Sequence, residues 1–503
     1  MKYKSYIKYF LIFSIILISL LPTYNFYQYA KKYDFKKSFN LDYVEKYVNY
    51  TIYKLFNRSM VQNKVISGKD DFLFLGNDYA NVLHKTNGTY PISEEIISHW
   101  SNNLKELQEF YESQGIKFLF VIAPNKHTVY REKLPDWMYY NNEENLTDIM
   151  IKSAQSNGVK ILYLKDILLK NKDEINTLYY KWDTHWNEYG ASFGYQAIVD
   201  KLNNLYNLNI KKEEFNINKT MRNGGDLANF LKIGDLLNKN DNEYILHLKN
   251  NQEICHGNIN IESGLLENCQ IKNNFNFQIN TQPQYTIVKN KKEKVLFMCD
   301  SFGTGHTKLF NLTFNEVYKW HYKHLVGNKL NDFIDKNKPD IVIYQLIERG
   351  LFDEQIFKIN KDILLVKESL NQKSTIFDLE KERNNFIKNE NLKLNFMNGY
   401  ISFESFNSDN AIIILNPIQV KTGYNFLSME IESSTDTFFQ VYYKEHDSDD
   451  YTENKSYKIS LKKGLNSFTL KMSSEYIKNS LRIDLVSDKG QYKITQFKIF
   501  ANE

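Results

Sequence analysis

Val295-Leu296-Phe297-Met298-Cys299-Asp300-Ser301-Phe302-Gly303 joins a short apolar run to a polar turn. Four apolar residues in succession fit a strand covered on both faces, and Asp300-Ser301, followed by Gly303 and Gly305, marks where it stops. Ligands of open α/β sheets gather beyond the carboxyl ends of the strands. A serine there meets a substrate with its own backbone N–H nearby. Taken alone, the stretch reads equally as an ordinary Asp-Ser turn or a helix N-cap.

A second stretch, Lys181-Trp182-Asp183-Thr184-His185-Trp186-Asn187, supplies what a serine needs. In extended backbone Asp183 and His185 project from one face, so the carboxylate can orient the imidazole and stabilise its protonated form. A serine hydroxyl is barely ionised near neutral pH and requires such a base. An Asp-x-His pair also serves as a structural turn or as part of a metal site, but neither reading accounts for the serine turn.

Together these stretches resemble the SGNH-hydrolase-like family that O-acetylates bacterial exopolysaccharides, the alginate O-acetyltransferase type and its DHHW relatives. Gly68-Lys69-Asp70-Asp71-Phe72-Leu73-Phe74-Leu75 is similar to the family's opening glycine, turn and strand; Asp183-Thr184-His185-Trp186 is similar to its D-x-H-W motif. Cys299-Asp300-Ser301-Phe302 resembles its G-D-S-F motif, with Cys299 where glycine is usual. Pro124-Asn125-Lys126, Gly225-Asp226-Leu227 and Lys338-Pro339-Asp340 fall in the family's order, with Asp and His ahead of Ser. The likeness runs over roughly residues 60 to 365.

Length and composition bound the rest. A chain of 503 residues suggests two or three domains, and 42% hydrophobic with 25% charged residues excludes general disorder and a polytopic membrane protein. A net charge of +4 points to no nucleic acid and no obligatory acidic polymer. Lys2, Lys4 and Lys8 precede an apolar run from Tyr9 to Leu21 flanked by aromatic residues, with no small-x-small cleavage site after it. Residues 1–30 are therefore expected to form a signal anchor, and 31–65 a helical stalk.

Alternating helical and strand patterns from residue 66 to 372 predict a parallel sheet with helices on both faces. Helices are expected over 93–114, 146–157 and 188–205, strands over 116–123, 159–164 and 340–346, and a further helical stretch after Gly303 and Gly305 through Tyr322. Residues 238–284 read as the least structured part. Cys255 and Cys269 lie there, and sequence alone does not decide whether they pair. Residues 373–390 read as a charged linker, and 391–503, with eight alternating runs between turns, as an all-β sandwich resembling carbohydrate-binding modules.

The resemblance implies a catalytic set of Ser301, His185 and Asp183. Asn125 and Lys126, just past a strand end, are candidates for substrate binding or an oxyanion hole. Trp182 and Trp186 either wall a sugar site or pack beneath the histidine. Glu348-Arg349 either orients an acceptor sugar, with Arg349 the candidate, or forms an internal ion pair or a surface turn. The remaining histidines lack a regular ligand spacing, so no metal is assigned, and the mechanism needs no coenzyme. The implied activity is extracytoplasmic transfer of an acetyl group through acyl-serine onto a polysaccharide, with a multipass membrane acyltransferase as the donor. The same residues would serve an acetyl esterase, and a degenerate site would leave a polysaccharide-binding assembly protein.

Overall fold

The computed structural model describes residues 2–29, 37–138, 145–173, 175–237, 241–249, 252–273, 282–351, 374–406, 411–420, 424–446 and 448–501. Helix α1 (Lys2–Tyr29) is long and apolar enough to cross a membrane between Ser5 and Gln28. Helix α2 (Asp42–Phe56) follows, and then a small antiparallel pair, β1 (Val65–Ser67) and β2 (Leu73–Leu75). Two short helices and strands frame the first βαβ unit: α3 (Val82–Thr86), α4 (Glu94–Ser113), β3 (Lys117–Ala123), α5 (Lys126–Val129), α6 (Leu146–Ser156) and β4 (Ile161–Tyr163).

The chain continues through α7 (Lys165–Lys170), α8 (Glu188–Tyr206), β5 (Phe215–Arg222), α9 (Asp226–Phe230) and β6 (Asp241–Leu248). Three strands then extend the main sheet: β7 (Glu253–Asn258), β8 (Gln270–Asn273) and β9 (Gln284–Val288). The domain closes with β10 (Lys294–Cys299), α10 (Thr304–Thr313), β11 (Glu316–His321), α11 (Gly327–Asn337) and β12 (Ile341–Ile347).

The main sheet has the order β4-β3-β12-β10-β11-β9-β7-β8. Its first part, β4 through β11, is parallel, and β9, β7 and β8 add antiparallel strands at one edge. Strands β3, β10 and β12 are buried almost throughout, as their unbroken apolar runs require. Alternate residues point to opposite faces: Leu119 and Phe297 join α8 and α10 on one side, and Phe118 and Leu296 join α4, α6 and α11 on the other. The expected sheet with helices on both faces is thus present, with a mixed edge.

Two expectations for this domain change. The helix after Ser301 stops at Thr313, and Glu316–His321 is a strand in register with β10, because Val317, Tyr318 and Trp320 fill a slot that only extended backbone reaches. The polar stretch from residue 238 contains β6 to β8, and Cys255 and Cys269 form a disulfide with Cα atoms 5.4 Å apart.

The C-terminal part packs two antiparallel sheets around a separate core that includes Ile413, Leu427, Val441 and Ile483. One holds β13 (Thr375–Asp378), β15 (Leu392–Met397), β16 (Tyr400–Ser405), β18 (Tyr424–Ser433), β21 (Gly464–Ser473) and β23 (Gly490–Ala501); the other holds β14 (Phe386–Lys388), β17 (Ala411–Leu415), β19 (Thr437–Tyr442), β20 (Ser456–Leu461) and β22 (Leu481–Val486). The described part of 373–390, expected as a linker, contributes β13 and β14: Phe377 and Leu379 are buried, and the charges between them form the turn. The run 396–403 is a hairpin rather than one strand, turning at Gly399, which sits at φ 84°.

Candidate active site

Three neighbouring strands, β3, β12 and β10, end side by side and carry Asn125, Arg349 and Ser301 just past their carboxyl ends. Asp300 ties two of these ends together. Its carboxylate accepts from Phe302 N at 2.9 Å, shaping the serine turn, and from Ile347 N at 2.6 Å on β12. Burial pushes its pKa up, and these backbone donors oppose the shift.

Ser301 Oγ lies 2.9 Å from His185 Nε2, and His185 Nδ1 lies 2.7 Å from Asp183 Oδ1. Because Asp183 can only accept at that contact, the proton of a neutral His185 sits on Nδ1 and the Nε2 lone pair faces the serine hydroxyl. Asp183 also accepts the backbone N–H of His185 at 3.0 Å, Arg222 at 3.2 Å and the N–H of Asp226 at 3.4 Å. Burial works to raise its pKa, but hydrogen bonding and charge from His185, with Arg222 behind them, hold it well below the usual carboxylate range.

The loop that carries Asp183 and His185 has little regular structure and is clamped from outside. Lys126 is buried, and its ammonium donates to the carbonyls of Tyr180 at 3.0 Å, Lys181 at 3.1 Å and Asp183 at 2.6 Å. Burial lowers its pKa to about 8 against the pull of Asp241, Asp226 and Asp183. Asp241 takes the N–H groups of Lys181 and Trp182 at 2.8 and 3.1 Å, and Asp226 takes the N–H of Thr184 at 2.7 Å together with its hydroxyl. A side chain at Gly225 would collide with the Asp183 carboxylate, so glycine is required there.

The remaining candidates separate into two groups. Asn125 Oδ1 accepts from Arg349 at 3.1 Å, and the Arg349 guanidinium lies over the Phe302 ring, 5.4 Å from its centroid. The His185 ring touches the same phenyl group at 4.8 Å, so Phe302 is a neighbour common to Arg349 and the histidine. Lys126 is instead committed to the loop carbonyls, and the two tryptophans are buried. Trp186 packs on Phe302 and donates to its carbonyl at 2.9 Å, and Trp182 sits in the core with Leu73 and Leu227; neither can wall a sugar site. Glu348 does not pair with Arg349 but accepts from Asn125 N, Thr128 and Asn145.

Arg222, Asp226 and Asp241 carry no signature readable as a catalytic motif, though Gly225-Asp226-Leu227 stands out between the two motifs. Cys299 is buried at the end of β10 with its sulfur against Gly303, where the absence of a Cβ leaves it room. Burial pushes its thiol up to about 12, which removes it as a nucleophile. Asp183, His185 and Asp226 offer atoms within 4.8 Å of one another, a spacing that suits a metal, but each is engaged in the hydrogen bonds just described.

Ser301 past a strand end, with His185 and Asp183 in line from a neighbouring loop, is an arrangement of the kind that acyl transfer through serine requires. Residues 65–254 match the family model of the SGNH hydrolase-like domain of acetyltransferase AlgX, a segment that holds Asp183, His185 and Asp226 and ends ahead of Ser301. Among solved structures, Bacillus cereus PatB1 is 15% identical, covering 57% of this chain and 96% of its own with a TM-score of 0.43. A DHHW family protein from Eubacterium siraeum is 15% identical over 59% of this chain and 94% of its own, TM-score 0.43. Pseudomonas aeruginosa AlgX is 13% identical over 87% of this chain and 95% of its own, TM-score 0.43. No curated protein matches the chain.

Proposed function

We propose that the chain is a serine-dependent O-acetyltransferase that acts on a polysaccharide outside the cytoplasm. The observation that carries this reading is the unbroken contact from Ser301 Oγ through His185 to Asp183. Ser301 gives its proton to His185 Nε2 as its oxygen attacks an acetyl carbonyl, and Asp183 stabilises the imidazolium. The tetrahedral oxyanion is met by the Ser301 backbone N–H, with Asn125 and Arg349 alongside. Collapse expels the donor's alcohol or thiol, protonated by His185, and leaves acetyl-serine. A sugar hydroxyl, deprotonated by the same histidine, then attacks the ester; the bond to Ser301 Oγ breaks, His185 returns the proton to the serine, and the sugar keeps the acetyl group.

The disulfide Cys255–Cys269 supports an oxidising compartment, and α1 serves as an anchor that keeps the domain on that side. A multipass membrane acyltransferase is the proposed donor. The sandwich serves to hold the polymer, and a cleft of about 920 Å³ lined by Asn395, Ser402, Glu404, Glu432, Gln491 and Lys493 offers hydroxyl-binding groups. About a third of the His185 side chain is exposed, so water is the competing acceptor and esterase activity the second reading.

The test is intact-protein mass after mixing the chain with 4-nitrophenyl acetate and then with oligosaccharides. One acetyl group is expected on Ser301 and then on sugar. Ser301→Ala should lose at least about 10³-fold in turnover with folding retained. Release of acetate to water alone assigns an esterase, and acylation independent of Ser301 overturns the mechanism.

A further inference from the structure

Helix α2 has its polarity reversed for a helix that merely connects an anchor to a domain. The face it packs against the domain carries its charges: Asp42 and Glu45 pair with Lys232, Lys46 pairs with Asp235, and Asn49 donates to the carbonyl of Leu231 at 2.8 Å. Tyr53 is buried on that same side. The opposite face, at helical spacing, presents Val44, Tyr47, Val48, Thr51 and Leu55, with Lys54 on the flank. Val44 and Val48 are each 43% exposed and Leu55 is 70% exposed. Water gains nothing from such a stripe, and the domain side of the helix is already occupied.

What lies against the stripe follows from where the chain has just come from. The end of α1 is tied to the start of α2: Asn25 donates to the carbonyls of Ser38 at 2.8 Å and Asn40 at 3.0 Å, and the Tyr24 and Tyr43 rings are 4.1 Å apart at their centroids. The first turn of α2 therefore stands where a membrane-spanning α1 would leave the hydrocarbon. Phe56, the last residue of α2, is 65% exposed and shares a cleft of about 620 Å³ with Trp137, itself 64% exposed. Apolar side chains followed by aromatic ones are what the boundary between acyl chains and headgroups accepts. Lys37, a few residues before α2, adds attraction to anionic lipid.

We infer that α2 is an interfacial helix, lying on the lipid surface with its Val44–Leu55 face embedded; this rests on the reading of α1 as an anchor. Because the opposite face grips Leu231 and Asp235, a few residues after Asp226, the contact would also fix the distance of the catalytic loop from the bilayer. A donor that stays in the membrane is then presented to a site held at constant height.

The experiment uses the full chain in vesicles of phosphatidylethanolamine and phosphatidylglycerol. Single-cysteine variants Val48→Cys, Leu55→Cys, Ile15→Cys and Leu465→Cys carry a polarity-sensitive dye; Cys255 and Cys269 are paired and Cys299 is buried, so the introduced thiol is the reactive one. Dyes at 48 and 55 are expected to show the blue-shifted emission and the loss of fluorescence with brominated lipid seen at 15. The exposed Leu465 position on the sandwich should show neither. Quenching at 15 with none at 48 and 55 overturns the interfacial helix and leaves the anchor standing. No quenching at 15 overturns the anchor and the inference with it. A blue shift at 48 without lipid quenching, growing with the ratio of protein to lipid, assigns the face to a second copy of the chain and also overturns it.

Discussion

The two halves of the candidate triad are positioned by different physics. Ser301 stands at the end of a buried parallel strand, where register with β11 and β12 fixes the backbone and one carboxylate, Asp300, shapes the turn. Asp183 and His185 stand on a loop whose backbone makes few ladder bonds, and Lys126, Arg222, Asp226 and Asp241 hold it from three separate stretches of chain. A strand end inherits its precision from the sheet, whereas a loop must be given it by charged groups buried for that purpose. The loop half is therefore the half that substitutions away from the reacting atoms should damage.

The largest such effect is expected at Lys126. Lys126→Met keeps the volume but orphans three carbonyl contacts, one of them buried, at a cost of about 3 kcal/mol in stability. Displacement of His185 by a fraction of an ångström to an ångström should reduce kcat by about 100-fold. A thermal melt and ester turnover measured together check both; an unchanged kcat in a folded variant would sink the clamp.

Arg222→Gln comes next, with kcat reduced by about 10-fold. Asp183 has its folded pKa depressed, so its stabilisation is present above the ordinary carboxylate range and is lost as pH falls through the folded value. Removing Arg222 raises that folded value, so acid unfolding should begin at higher pH. Melting temperature followed from about pH 7 down to about pH 1 reads the change, and coincident curves would rule Arg222 out as a partner of Asp183.

On the strand side the expectation is for little. Cys299→Ala should cost about 1 kcal/mol and leave turnover within about twofold, since the thiol fills space and donates nothing to the chemistry. Iodoacetamide at neutral pH should leave the native thiol unmodified, in keeping with a thiol pushed up to about 12. A large loss of turnover would make the serine turn the more delicate half.

The same contrast explains what could be read in advance. Val295 to Ser301 and Asp183 to His185 are local patterns in which hydrophobic run, turn and spacing are all visible in a few residues. Sheet class, the helices over 94–113 and 188–206 and most sandwich strands followed from periodicity of the same kind. Arg222 and Asp241 were not legible because they act on a loop some 40 to 60 residues away, from strands whose own sequence is polar. Trp182 and Trp186 carry the same symbol whether a ring faces sugar or core, and only the packing of Phe302 and Leu227 decides. Strands β13 and β14 were hidden by the charges of the turn between them, Glu380 to Arg383.

The position of β12 has a consequence for how the molecule comes into being. It is the last strand of its domain in sequence, yet it lies between β3 and β10. Until residues 341–347 have left the ribosome and threaded between those two partners, Ser301 and His185 have no common platform. The contact between Ser301 and His185 is thus a late event of high sequence separation, paid for in loop-closure entropy and slow to form. A nascent chain still in transit would be chemically silent, and acyl-transfer activity in a refolding experiment would report completion of the sheet rather than collapse of its parts.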